Sequence, residues 1–430
     1  MGLREKILDR SARIGIVGLG YVGLPLAVEF GQAGYRVFGI EVDTHRLESL
    51  RKGISYIQDV SDQALAELVA TGRFQAASDY SILREIDAVS ICVPTPLVKT
   101  GDPDIQYIAE STERIREHLH PDFLVILEST TYPGTTEEIL LTSFRGTGLE
   151  VGKDFYLAFS PERVDPGNKS WHTRNTPRVV GGVTPACTEM ATLLYQQVVE
   201  RVYPVSSTRS AEMVKLLENT FRAINIGLVN EVAIMCDKLG IDVWEIIDAA
   251  ATKPFGFMPF YPGPGLGGHC IPVDPLYLSW KLKLLNYTAR FIELAREINT
   301  AMPEYVAQKV LRALNQKKKA VNGSRILVLG VAYKKDVPDV RESPALDIIG
   351  LLQQDGAEVA YSDPYVPELR LDHGRLRSRE LTSQSLRSYD CVVIVTDHSA
   401  FDYELIARES ALVVDCRNAL RGKGPNVVKL

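Results

Sequence analysis

The chain has 430 residues, 45% hydrophobic and 24% charged, with a formal net charge of -6. A single core stops growing near roughly 250–300 residues, so two or three domains are expected. The acidic balance excludes nucleic acid as an expected partner, and a polyanionic substrate then needs a local basic pocket.

The opening residues MGLREKILDR are polar and read as a short helix or arm rather than a leader, and no apolar run reaches the roughly 18–20 residues of a membrane span. No membrane association is expected. Cys92, Cys187, Cys236, Cys270, Cys391 and Cys416 are scattered, without CxxC or metal-ligand spacing. This argues against a disulfide framework or a metal site and for a reducing, cytoplasmic location. All but Cys270 lie in apolar contexts and read as buried small hydrophobes.

The run RIGIVG (13–18) reads as a short strand ending in glycine, followed by an apolar helix and a second strand, RVFGIEVD (36–43). DAVSICVPTP, DFLVILEST and DFYLAFSPE are further buried strands, separated by amphipathic stretches such as IQYIAESTERIREHL. This alternation predicts an α/β domain, a parallel sheet with helices on both faces, over residues 1–205. From about Ser206 the pattern turns helical: SAEMVKLLENTFRAINIGLVNEVAIMCDKLG, then VWEIIDAAAT, then 277–316. The breaker-rich KPFGFMPFYPGPGLGGHCIPVDP between them reads as an irregular loop. A helical middle domain over 206–315 follows. At Ser324 strand–helix alternation returns with RILVLGVAYK, EVAYSDP, CVVIVTD and ALVVDCRN, predicting a second, smaller doubly wound domain over 316–430. Its first turn lacks GxGxxG spacing, so it is not expected to bind a dinucleotide in the same way.

Gly18-Leu19-Gly20-Tyr21-Val22-Gly23 is a GxGxxG that follows a strand and opens a helix, with Glu41 closing the next strand. In that context it is a dinucleotide fingerprint. Gly18 makes the tight turn, Gly20 admits the pyrophosphate, and Gly23 lets helix approach strand. The helix start offers N–H groups to phosphate. Glu41 accepts from ribose hydroxyls and repels a 2′-phosphate, favouring NAD over NADP, an inference that nearby Arg46 weakens slightly.

Cys270 follows two glycines, Gly267-Gly268-His269-Cys270, and precedes Asp274 by four residues. A thiol can attack an aldehyde, and a nearby carboxylate can orient water for hydrolysis of the resulting acyl group. The competing reading is an inert structural cysteine. His269 is given a positional role. Lys215 and Asn219 are one helical turn apart and can hold a hydroxyl or oxyanion; the plain alternative is a solvated lysine. Glu162, in SPER, is a water-positioning carboxylate or a loop charge.

Taken together, GLGYVGLPLA, EST (128–130), SPER, KLLEN, GGHCIPVDP and YKKDVPDVRES resemble the UDP-glucose/GDP-mannose dehydrogenase family over essentially the whole chain. The resemblance implies two successive oxidations by two NAD molecules with no aldehyde released, in polysaccharide biosynthesis. It implies Cys270 as nucleophile, Glu162, Asp274 and Thr130 at the water site, and Lys215 and Asn219 as oxyanion support. It extends the cofactor contacts from the glycine turn, with Tyr21 and Val22, to Glu41, Arg46, Thr95, Thr130 and Arg341. Substrate contacts would fall on Glu162, Arg163, Lys215, Asn219, Tyr261, Gly267, Lys334 and Arg417. Lys253 would reach across a homodimer formed through the middle domain. The loop around Tyr261 and His269 is similar to the branch acting on UDP-N-acetylhexosamines, which favours UDP-N-acetylglucosamine. UDP-N-acetylmannosamine and UDP-glucose remain open. A two-electron dehydrogenase of the 6-phosphogluconate and hydroxyisobutyrate group, and a non-catalytic NAD-binding scaffold, are the rival classes.

Overall fold

Runs such as AVSI and FLVIL are buried at every position rather than at alternate ones, as strands covered on both faces must be. The computed structural model describes the whole chain except Lys99, Thr100, Pro166, Lys169, His269, Asp372, His373 and Lys423. It divides into two compact units, Met1–Glu218 with Leu276–Tyr287, and Asn219–Pro275 with Thr288–Leu430.

The first unit is built on strands β1 (Arg13–Val17), β2 (Arg36–Ile40), β3 (Phe74–Ala77), β4 (Ala88–Ile91), β5 (Phe123–Leu127), β6 (Phe155–Phe159), β7 (Arg178–Gly182) and β8 (Val202–Val205). They form one sheet in the order β3-β2-β1-β4-β5-β6-β7-β8. Its first six positions are the dinucleotide-binding doubly wound order. The sequence predicts β1, β2, β4, β5 and β6; three short strands are added. One departs from the expected parallel sheet: β7 runs antiparallel to β6, with Phe159 opposite Gly181. Its glycines are required by close approach. A Cβ on Gly181 would lie 2.1 Å from the Ser207 carbonyl, and one on Gly182 2.3 Å from the Thr188 nitrogen. The edge strand β8 tolerates Pro204 because an edge position needs no second ladder.

The second unit combines helices with a parallel sheet. The Thr208–Leu239 helix supplies residues to both units and ends at Gly240, whose φ of +69° suits the left-handed residue after a helix. Strands β9 (Arg325–Leu329), β10 (Glu358–Ser362), β13 (Cys391–Ile394), β14 (Val413–Asp415) and β15 (Val427–Lys429) form the order β10-β9-β13-β14-β15, while β11 (Glu368–Leu371) and β12 (Gly374–Arg377) make a separate antiparallel ribbon. Alternate residues of β9 enter different cores: Ile326 and Val328 pack with the Arg290–Gln316 helix, Leu327 and Leu329 with Leu386, Phe401 and Ile406. The α/β class with two doubly wound sheets and a helical middle is therefore observed.

Two local expectations are corrected. The loop expected to run through Asp274 ends earlier, because a helix begins at Cys270 and runs to Lys283. Pro272 sits in its first turn, where a backbone N–H has no helical partner in any case, so proline there does not delay the helix. The helix expected over 277–316 is broken between Lys283 and Arg290, where Asn286 takes a φ of +57°.

The turn after β9 explains why the second sheet carries no glycine fingerprint. The N–H groups of Val331 and Ala332 donate to Asp363 Oδ2, at 2.8 and 3.1 Å. The other oxygen accepts from Tyr365 and Val366, at 2.8 and 3.1 Å. Buried His398 accepts the Asp336 N–H on Nδ1 (2.9 Å), so Nε2 carries the proton of the neutral ring and donates to Asp363 at 3.0 Å. Burial pushes the Asp363 carboxyl up, but the His398 and backbone donors outweigh it and hold it below the ordinary value. A depressed native value means stability present above the ordinary carboxyl range and lost as pH falls through the native one. Asp363→Asn puts an amide N–H₂ against N–H donors, and should cost about 1–3 kcal/mol at pH 7. The deficit relative to wild type should shrink as the pH is lowered below the ordinary carboxyl value; thermal unfolding of both proteins across pH measures it.

Candidate functional site

The glycine turn after β1 is fixed by contact. Gly18 has a φ of +86°, and a Cβ there would lie 2.7 Å from the Cys92 carbonyl. A Cβ on Gly23 would lie 1.9 Å from the Gly18 carbonyl, so the Gly23–Gln32 helix can start against the strand only without a side chain. Gly20 differs: nothing lies within 4 Å of its Cβ position. Its backbone is open on one side, where a pyrophosphate needs to approach.

Glu41 is buried beside this turn. One oxygen accepts from the N–H groups of Val42 (2.9 Å) and Asp43 (3.1 Å), the other from Leu19 (3.3 Å). Arg46 lies 3.9 Å from it and 5.3 Å over the ring of Tyr56, whose hydroxyl donates to the Leu19 carbonyl at 2.7 Å. Tyr21 is exposed, and buried Thr95 accepts the Tyr277 hydroxyl on its carbonyl. An open backbone at Gly20 beside a fixed carboxylate suits a dinucleotide.

The first unit also holds Thr130, just past β5, and Glu162, just past β6. One Glu162 oxygen accepts from the N–H groups of Arg163 (2.6 Å) and Val164 (2.8 Å), the other from Arg178 (3.1 Å). Lys215 donates to the Glu162 carbonyl at 2.6 Å. Arg163 is committed to Glu218 through a two-pronged pair, at 3.2 and 2.5 Å, and to the Pro177 carbonyl at 2.6 Å. Behind Glu162 lies a network that the sequence reading leaves unassigned. Arg178 bonds Glu128 as well, and Tyr195 donates to Glu128. Burial pushes the Glu128 carboxyl up. Burial also works against the Arg178 cation, but Glu128 and Glu162 prevail and hold it charged. Glu128 belongs to the EST motif, and Arg178 is a lone charge opening an apolar strand; those were the available signals.

In the second unit, Cys270 is exposed at the start of its helix, whereas the other cysteines are buried. Asp274, one turn on, is buried and accepts from Asn219 Nδ2 at 2.5 Å. Lys215 and Asn219, one turn apart, thus serve different carboxylate residues. The glycines before Cys270 are needed by the segment lying on them. A Cβ on Gly267 would be 2.6 Å from Tyr333 Cβ, one on Gly268 2.8 Å from the Tyr333 ring, and the Gly268 N–H donates to the Arg341 carbonyl at 3.0 Å. The Arg341 guanidinium pairs with Asp339, at 2.7 and 3.1 Å. Lys334 lies half-buried in the same segment. Arg417 covers Gly263, where a Cβ would meet its Nη1 at 2.4 Å, and donates to the Val395 carbonyl at 2.9 Å. Tyr261 bonds Asp248 at 2.8 Å and stacks on Trp244, while Lys253 lies 5.0 Å over Phe255. His269 lies outside the described residues.

A glycine-turn dinucleotide site on one doubly wound sheet, with an exposed cysteine and a helix-borne lysine and asparagine elsewhere in the chain, defines a dehydrogenase. The chain belongs to the UDP-glucose/GDP-mannose dehydrogenase family. The family's NAD-binding domain matches residues 12–199, its central domain 209–301 and its UDP-binding domain 327–422. UDP-N-acetyl-D-glucosamine 6-dehydrogenase of Salmonella typhi is 35% identical over 91% of each chain. UDP-N-acetyl-D-mannosamine dehydrogenase of Pyrococcus horikoshii is 36% identical over 95% of this chain and 96% of its own. The solved structure of UDP-D-ManNAc dehydrogenase from Pyrococcus horikoshii superposes with a TM-score of 0.89 at 34% identity, covering 97% of this chain and 98% of its own. The protein is an NAD-dependent nucleotide-sugar dehydrogenase that takes a UDP-sugar. Among the described residues, no helix is long and apolar enough to cross a membrane.

Glu41→Ala removes a hydroxyl acceptor and a repulsive charge together. NAD affinity should fall about tenfold, the value of one charge-assisted hydrogen bond, and the gap to NADP should narrow. Calorimetric titration with both cofactors checks this; a wild type that already prefers NADP contradicts the role given to Glu41.

Proposed function

We propose that this protein oxidises the C6 alcohol of UDP-N-acetyl-D-glucosamine to the uronate, a four-electron reaction passing through a covalent intermediate on Cys270. The observation that carries this reading is an exposed thiol at a helix start, one turn before a buried carboxylate that Asn219 holds in place. Relatives named for the glucosamine and mannosamine sugars match equally well, and UDP-N-acetylmannosamine is the competing substrate. The labour divides as residues 1–205 for NAD, 206–315 for the cysteine segment and dimer, and 316–430 for the UDP moiety. Cytoplasmic polysaccharide precursor synthesis is the setting this implies.

NAD, when bound along Gly18, Gly20, Tyr21, Val22, Gly23, Glu41 and Arg46, with Thr95, Thr130 and Arg341 as its further expected contacts, supplies the hydride acceptor. Lys215 and Asn219 hold the reacting oxygen and stabilise its developing negative charge. Loss of a hydride and a proton from the C6 alcohol gives the aldehyde. The Cys270 sulfur adds to its carbon while the thiol proton passes to the aldehyde oxygen, and loss of a second hydride and proton from this thiohemiacetal leaves a thioester. Water, held by Glu162, Asp274 and Thr130, then attacks. Its oxygen bonds the acyl carbon, the C–S bond breaks with its electron pair going to Cys270, and a water proton passes to a carboxylate. Arg163, Tyr261, Gly267, Lys334 and Arg417 are the further substrate contacts.

A panel of UDP-sugars assayed for NADH tests the whole reading: two NADH per uronate are expected, highest kcat/KM with UDP-N-acetylglucosamine. One NADH per sugar would mean a two-electron enzyme. Cys270→Ser should bind NAD and UDP-sugar normally yet form no uronate, since serine is a poor acceptor for a transferable acyl group at neutral pH. Normal turnover by this variant sinks the covalent route.

Assembly as a homodimer is the second part of the proposal. Phe221, Leu228 and Met235 recur every seven residues on the Thr208–Leu239 helix and are 46, 54 and 49% exposed. Such a stripe marks an association surface. Lys253 would extend toward the partner's site. Sedimentation at micromolar concentration should give twice the 47.7 kDa chain mass, and Leu228→Glu with Met235→Glu should give monomers. A wild-type monomer contradicts the assembly.

A further inference from the structure

We infer that Arg178 and Glu128 are positioning residues for Glu162, fixing the carboxylate that handles water in thioester hydrolysis; this rests on the reading of Glu162 given above. Glu128 directly follows β5, Ser160 directly follows β6, and Arg178 opens β7. These strands are neighbours in the sheet. The clamp is therefore mounted on its rigid part rather than on loops alone.

The guanidinium has almost no freedom. Its Nε donates to Ser160 Oγ at 3.1 Å, its Nη2 bonds both Glu128 and Glu162, and the Tyr195 ring lies 4.5 Å from its carbon. Arg178 and Glu128 are 3% and 1% exposed, while the Glu162 side chain keeps 15%. An arginine needed only to neutralise a buried carboxylate would stop at Glu128. Here the same cation also reaches the carboxylate that meets solvent, and Glu162's other oxygen is pinned by the N–H groups of Arg163 and Val164. Lys215 holds the same residue by its carbonyl. Glu162 is thus fixed by side chain and backbone, leaving little rotational choice for the water it binds.

The test uses the full chain and three alterations: Arg178→Lys, the charge-balanced pair Glu128→Gln with Arg178→Gln, and Tyr195→Phe, which keeps both charges and removes one hydroxyl from the clamp. Glu162→Gln is the reference. Rapid quenching followed by intact-mass measurement reads the acyl group on Cys270, which accumulates when water attack on its carbon and release of the C–S bond are slowed. In the folded Arg178 variants, kcat should fall on the order of 10- to 100-fold, as for an ångström-scale misplacement of a reacting group, with KM for the UDP-sugar changed less than about threefold. The acyl adduct should accumulate on Cys270, and Tyr195→Phe should show the same signature at smaller amplitude. Wild-type kcat in a folded Arg178 variant, a fall in kcat without adduct, or a Tyr195→Phe protein with wild-type kcat and no adduct overturns the inference. If Glu162→Gln accumulates adduct and the clamp variants do not, only the positioning role fails. If Glu162→Gln hydrolyses at the wild-type rate, the reading of Glu162 itself has failed.

Discussion

A parallel strand that ends in a tight turn leaves backbone N–H groups that must find acceptors, and both doubly wound sheets of this protein are organised by how that demand is met. In each, a carboxylate at the end of the neighbouring strand comes back to the turn. Glu41, which also accepts from Val42 and Asp43, takes the Leu19 N–H of the turn at a long 3.3 Å and leaves space open at Gly20. Asp363 takes both Val331 and Ala332 and is itself steadied by His398. The second turn thus carries an internal anion over its N–H groups, while the first keeps open space at Gly20. The glycines follow from this, because a turn that must admit a ligand has no room for Cβ atoms where helix, strand and phosphate converge.

The buried charges of the first unit obey a harsher rule. Removing Glu128 and Arg178 from water costs more than their mutual attraction returns unless every remaining donor and acceptor is met. Ser160 accepts from the Arg178 Nε, Glu162 accepts a second bond from its Nη2, and Tyr195 donates to Glu128. A buried pair of this kind is a poor source of stability and a good source of unique geometry, since one geometry satisfies all the partners at once. That places the network where geometry matters most, beside a carboxylate that reaches solvent.

The parts of the site legible in the sequence are those whose chemistry is local. Gly18, Gly20 and Gly23 sit within six residues, and Glu41 falls one strand later, so spacing alone declares them. Cys270 stands out among six cysteines because two glycines lie just before it and an aspartate stands four residues after it. The rest depends on contacts between distant residues. Arg178 finds Glu128 across fifty positions, through strands whose adjacency no local pattern encodes. The antiparallel β7 was hidden for the same reason: RVVGG reads as a strand fragment only once Ser207 and Thr188 are known to press on its glycines. The helix start at Cys270 was obscured by Pro272, a residue that ends helices in their interior and is harmless in their first turn.

That helix start changes what the two glycines before the cysteine do. On an irregular loop they would grant mobility. Instead, Gly267 and Gly268 are gripped by Tyr333 and by the bond from the Gly268 N–H to the Arg341 carbonyl, so the absence of side chains buys contact rather than freedom. The Gly268 φ of +85° then turns the chain just before Cys270. In the covalent route proposed for Cys270, the sulfur adds to an aldehyde and later leaves from an acyl carbon, meeting both centres in nearly the same place. A thiol carried on a helix whose approach is clamped from the 333–342 segment suits that demand better than one on a mobile loop. It also ties the cysteine's position to the segment that carries Lys334 and Arg341, so any ligand that orders those residues also bears on where the sulfur sits.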